Sequence, residues 1–168
     1  MLAPDTEVTM TPKLQERIPE EESTYVQAFM LLQRTRDLLF RCEDQAVAEF
    51  GITAEQYSVL MAMKGLDDPV KVTDVARRLE RKVNSVSMLV DRMVNAGLVT
   101  RERDLPDRRA VRLGLTGKGQ EASERAAPVV LRLVEELLSP LSHEDMDTLV
   151  TLLDNLRENA RKHLGTRN

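Results

Sequence analysis

Between residues 71 and 120 the chain places twelve Lys and Arg side chains against six Asp and Glu, a local charge of +6 in a protein whose formal total is −4. The other residues therefore sum to −10. A basic block between acidic flanks is the electrostatic footprint of a surface for a polyanion. Within it, Arg81, Ser85, Met88 and Arg92 recur at i, i+4, i+7 and i+11. With the helical phase taken back to residue 81, they share one face, opposite the apolar Val86, Leu89, Val90 and Met93. A Ser hydroxyl and a flexible Met suit base edges and thymine methyls. Arg81, Lys82 and Arg92 suit the phosphates on either side, which supply affinity and register more than sequence choice.

A second basic feature is the pair Arg108-Arg109 beside Asp107, within the turn-rich run Asp104-Leu105-Pro106-Asp107-Arg108-Arg109-Ala110. An Arg carried on a thin projection fits a narrow minor groove, where the negative potential is strongest. Catalytic chemistry finds no such footing. The chain has two His, His143 and His163, and one Cys, Cys42; it lacks a Gly-rich phosphate loop and Cys/His metal spacing. His143 reads as a residue opening the last helix and His163 as a cation near its end. We expect no enzyme, no metal and no cofactor.

These residues need elements to hold them. Residues 1–22 contain three of the seven prolines and no apolar period, which predicts an extended arm. From Ser23 a broad stripe (Val26, Met30, Leu31, Leu38, Leu39, Phe40, Ala46, Ala48, Phe50) predicts a long helix ending at Gly51. Thr53 and Gln56 form a capping box, with Ile52 and Tyr57 as a hydrophobic staple, opening a helix over about 54–64. After the turn cluster Gly65–Pro69, Thr73 is the expected cap of a short helix with Val75, Ala76 and Leu79 inside. The helix carrying the DNA-facing pattern spans about 84–96 and stops at Gly97. The period then changes to two over Leu98–Arg103 and again over Val111, Leu113 and Leu115, which predicts a charged hairpin. Thr116 caps a helix running to about Ser139, Ser139-Pro140 breaks it, and Ser142 with Asp145 caps the last one.

The fold class that follows is mainly α with a small β-hairpin wing: a winged helix-turn-helix core flanked by N- and C-terminal helices. We divide the chain into an arm (1–22), an N-terminal dimerisation helix (23–50), a DNA-binding domain (51–116) and C-terminal dimerisation helices (117–168). Low aromatic content (3%) and the absence of Trp favour helix over a β-rich sandwich. A lone Cys, no signal-like apolar run and no membrane-length apolar stretch predict a cytoplasmic protein that does not associate with membranes.

Asp107-Arg108-Arg109-Ala110-Val111-Arg112-Leu113-Gly114-Leu115-Thr116-Gly117-Lys118-Gly119 resembles the wing signature of MarR-type transcriptional regulators. Upstream, Leu89-Val90-Asp91-Arg92-Met93-Val94-Asn95-Ala96-Gly97-Leu98-Val99 resembles the end of that family's recognition helix and its entry to the wing. The resemblance spans about residues 25–163. It implies an obligate homodimer with interlocking terminal helices, a palindromic double-stranded DNA operator, and a repressor released by a small aromatic or phenolic effector. Carried over, Arg109 is the minor-groove arginine, Asp107 the acid that holds the wing, and Ser85 and Ser87 base-contacting positions.

Lys82-Val83 stands where many members have an Asp or Ser cap, so which of Lys82, Asn84 and Ser85 reads bases stays open. The DNA-contacting set is thus Arg81, Lys82, Asn84, Ser85, Ser87, Met88, Arg92, Asp107, Arg108 and Arg109. Arg36, Phe40, Tyr57 and Met61 are read as core more than as an effector pocket. Cys42 lies late in its helix, unlike the sensing Cys of the family's peroxide-responsive branch, and is read as incidental. The competing class is a helical protein-interaction module, which would need an apolar outward face on residues 81–92.

Overall fold

The computed structural model describes residues 20–103 and 111–165. The order is α1 (Glu20–Val47), a 3-10 turn (Ala48–Phe50), α2 (Ala54–Lys64), β1 (Val70–Lys71), α3 (Val72–Arg78), α4 (Val83–Asn95), β2 (Val99–Arg103), β3 (Val111–Leu115), α5 (Gly117–Leu138) and α6 (His143–Gly165). The chain divides into two compact units, one up to Val129 and one from Val130 on.

In the first unit the local signals work largely as the residues suggest. Gly51 ends the first helical segment with φ 70°. The capping box is complete: the Gln56 N–H donates to Thr53 Oγ1 at 3.3 Å, and the Thr53 N–H donates back to Gln56 Oε1 at 3.0 Å. Ile52 and Tyr57, the expected staple, are both buried. The Ala54 N–H, another orphan donor of the first turn, donates to Asp44 Oδ1 at 2.8 Å, which ties α2 to α1.

Helices α3 and α4 make the helix-turn-helix. Val75 and Ala76 bury the inner face of α3, and Val86, Leu89, Val90 and Met93 that of α4. Leu79 is only half-buried. Two expectations change here. Thr73 does not cap α3; the N-cap is Lys71, with no side-chain cap bond, because Val70-Lys71 pairs as a short strand with Leu113-Arg112 and delivers the chain into the helix from there. α4 begins at Val83 after Lys82, again with no side-chain cap bond, so Arg81 precedes the helix rather than riding on it.

The three strands lie in the order β1-β3-β2, all antiparallel, with Val99 opposite Leu115, Arg101 opposite Leu113 and Arg103 opposite Val111. Leu98 is buried but precedes the strand. Period two puts Val99 and Arg101 on the same face as Leu113, so Arg101 points toward the helices while Thr100 and Glu102 point away. The start of α5 then returns to the end of α4. Thr116 caps α5 by accepting from the Gly119 N–H at 3.0 Å and donates its own hydroxyl to the Gly97 carbonyl at 2.7 Å; Lys118 Nζ donates to the Ala96 carbonyl at 2.8 Å. Ala122, Ser123 and Ala126 continue the buried side of α5.

The stripe expected on α1 is a different matter. Of its residues, Leu31, Leu38, Leu39 and Phe40 are exposed and Val26, Met30 and Ala46 half-buried; Tyr25 and Phe29 are exposed as well, and of the described α1 side chains Val47 alone is buried. In the second unit α5 ends at Leu138, and Ser142 and Asp145 cap α6 reciprocally. The Ser142 hydroxyl, and then its N–H, donate to Asp145 Oδ2 and hold that carboxyl below its ordinary value. No described residue from Val130 on is buried, and Leu131, Val134, Leu137, Val150, Leu152, Leu153 and Leu156 are exposed. Among the described residues no helix is long and apolar enough to cross a membrane.

Candidate nucleic-acid interface

The polar face of α4 is the exposed one. Lys82, Asn84, Ser85, Met88 and Arg92 are exposed, and Met88 keeps 68% of its surface. A Met held in water on a helix whose other face is fully packed has no role in the core. Arg81, Ser85, Met88 and Arg92 line one shallow concavity of about 210 Å³ with Val86, Leu89 and Glu55. The four residues spaced for one face are thus brought together, although Arg81 arrives from the turn before the helix.

That turn is held by the backbone. The Glu80 N–H donates to the Arg77 carbonyl and the Arg81 N–H to the Ala76 carbonyl, closing α3 in a Schellman pattern with Glu80 at φ 54°. The same pattern closes α4 with Gly97 at φ 70°, through the Gly97 N–H to Val94 and the Leu98 N–H to Met93. Glycine adopts that conformation freely; a side chain at Glu80 adopts it at a cost.

Ser87 does not line the concavity. It is half-buried, and Arg101 Nη2 donates to its hydroxyl at 3.0 Å, while Nη1 of the same arginine is ion-paired and hydrogen-bonded to Asp91. Arg101 therefore fastens the first strand of the hairpin to the middle of α4. Arg112 of β3 is ion-paired with Asp68. These partners leave part of the basic block engaged within the protein. Asp107, Arg108 and Arg109 lie outside the described residues, in the seven-residue run joining the paired ends Arg103 and Val111.

Glu55 was not singled out by the sequence reading. It stands in the first turn of α2, where an acid is favoured by the helix dipole, and its carboxylate meets two of the candidate cations. Arg81 Nη1 donates to Oε1 at 3.3 Å, and Arg92 Nη2 lies 3.9 Å from Oε2. Nothing local signals this contact; it joins residues 26 positions apart in the chain.

Beside the concavity lies a second one of about 290 Å³, lined by Phe40, Asp44, Thr53, Glu55, Gln56, Leu89 and Arg92. Of the residues weighed for an effector pocket, Phe40 lines it, Tyr57 is core, Met61 is partly exposed, and Arg36 pairs with its neighbour Asp37 on the surface. Burial, and then the charge of Asp44, raise the Glu43 carboxyl above its ordinary value; burial and Glu43 raise the Tyr57 phenol. Cys42 is a half-buried free thiol. Among the described residues no group of His, Cys, Asp and Glu could hold a metal ion.

A family model described as the MarR family matches residues 50–110. The HTH-type transcriptional repressor MdtR of Bacillus subtilis (strain 168) is 29% identical over 102 residues, which cover 61% of this chain but just under two thirds, 65%, of MdtR. The transcriptional regulator HosA of Escherichia coli O157:H7 is 32% identical over 102 residues, covering 61% of this chain and 75% of HosA. Among solved structures, the transcriptional repressor CouR bound to a 23-mer DNA duplex has a TM-score of 0.67 and 28% identity, covering 75% of this chain and 89% of that one.

Proposed function

The chain belongs to the MarR family of transcriptional regulators, and from that premise we propose that it is a homodimeric repressor of a palindromic operator, released by a small-molecule effector. The observation that carries the reading is the exposed face of α4, where Arg81, Ser85, Met88 and Arg92 share one concavity. Its cations, with Lys82, are suited to phosphates, and Ser85, Met88 and Asn84 to base edges in the major groove. Arg109, with Asp107 and Arg108 beside it, is placed by its sequence position to carry a charge from the hairpin into the minor groove. The basic outward face favours this reading over a module that docks a protein.

Dimerisation is supported by the unburied apolar side chains of α1 and α6 and of the second half of α5. Surfaces of this extent mark interaction sites. We assign 23–50 and 117–168 to the dimer, 51–116 to DNA and 1–22 to an arm. A two-fold dimer presents two copies of α4, and two half-sites about one DNA turn (~34 Å) apart follow from that symmetry. The cavity of about 290 Å³ between α1, α2 and α4, lined by Phe40 and Leu89 together with Asp44, Thr53, Glu55, Gln56 and Arg92, is of a size for a small aromatic or phenolic effector.

Selection of bound duplexes from a random DNA pool tests the reading. A selected palindrome with two half-sites supports it; a pool that stays random through successive rounds overturns it.

A further inference from the structure

The geometry points to Glu55 as an intramolecular competitor of DNA phosphate: a carboxylate that holds Arg81 and Arg92 in the free protein and must release them when the backbone of the operator arrives. The inference rests on the DNA-binding reading of α4. Two observations carry it. Both arginines contact one carboxylate, Arg81 at 3.3 Å through Oε1 and Arg92 at 3.9 Å through Oε2, so this trio presents one net positive charge instead of two. The carboxylate lines the same concavity as Ser85 and Met88, the residues placed for bases, and so lies within the surface that would meet DNA.

The contacts are of the kind that a phosphate can replace. The three side chains keep 35% (Arg81), 42% (Glu55) and 67% (Arg92) of their exposure, and an ion pair so open to water is weak and screened by salt. A carboxylate left beside a bound phosphate repels it. Arginines already neutralised inside the protein also hold fewer phosphates than their number suggests, and affinity for DNA and its dependence on salt both follow the count of phosphates neutralised. Glu55 is thus a brake on affinity: it limits the electrostatic, sequence-independent part of binding while leaving Ser85 and Met88 to set the choice of site.

The test is Glu55→Gln in the full chain, with affinity for a duplex recovered from the random-pool selection measured at several salt concentrations. Thermal melting of each variant is followed in parallel. The variant should bind about 3–10 times more tightly at low salt, and the slope of log affinity against log salt should steepen by about 0.9 for each arginine released. In a background carrying Arg81→Gln and Arg92→Gln, adding Glu55→Gln should lose most of that gain. If the parent protein binds DNA and Glu55→Gln binds with equal or lower affinity at an unchanged slope, Glu55 is a support for its arginines and the brake is refuted. If the parent fails to bind any selected or random duplex, the DNA-binding reading itself falls.

Discussion

Gly119 of α5 lies so close to Leu98 that a β-carbon built on it would stand 2.0 Å from the Leu98 carbonyl oxygen. Backbone cannot swing aside as a side-chain tip does, so the position admits hydrogen alone without moving the helix. Gly119→Ala should therefore separate the start of α5 from the end of α4 and destabilise the fold by about 1–3 kcal/mol. Denaturant unfolding checks this, and a variant as stable as the parent would mean that α5 does not seat on Leu98.

Arg101 joins the hairpin to α4 through Asp91 and Ser87. Its side chain is 30% exposed and Asp91 55%. Arg101→Ala should cost about 0.5–1 kcal/mol of stability, in line with an ion pair open to water. DNA affinity should fall more than this loss of stability explains, because the hairpin would no longer be oriented against α4. Parallel melting and DNA titration of the variant separate the two effects.

Arg109→Ala should weaken operator binding by about 1–3 kcal/mol with the oligomeric state unchanged. Light scattering and DNA titration on the same preparation check both halves of the expectation. Unchanged affinity would remove the wing arginine from the interface.

Glu43 gives the pH dependence. Burial, and then the neighbouring Asp44, raise its folded-state pKa above the ordinary carboxylate value. The folded protein therefore holds this proton more tightly than the unfolded chain, and the charged form opposes folding above the raised pKa. Glu43→Gln should stabilise the protein at pH 7, with the gain shrinking as pH falls through the folded pKa and vanishing below the unfolded one. Melting curves from pH 4 to pH 8 test the sign.

What the sequence made legible was local. The apolar period of α4, Gly97 after it and the capping box at Thr53 each specify their element within a few residues, and the structure follows them. The missed features were set by distant partners. Val70-Lys71 is too short to show a period and becomes a strand because Leu113-Arg112 pairs with it. α3 ends at a residue other than glycine, with Glu80 held at φ 54° by backbone bonds to the helix, so no punctuation marked the turn. Glu55 is a first-turn acid of α2, and its two arginines, from α4 and the turn before it, reach it only through tertiary packing. For the candidate interface, helical phase, a local property, was enough to group Ser85, Met88 and Arg92, whereas Arg81 joins them from the turn before α4.

Binding of DNA through the basic face of α4 and its hairpin is open to direct test. The most direct measurement is the affinity of the purified chain for a selected duplex between about 50 and 200 mM salt, where a protein making six to ten phosphate contacts loses about 10³–10⁵ in affinity. We predict a linear fall of log affinity with log salt within that range of steepness. The absence of binding at low salt, or an affinity indifferent to salt, would contradict the account.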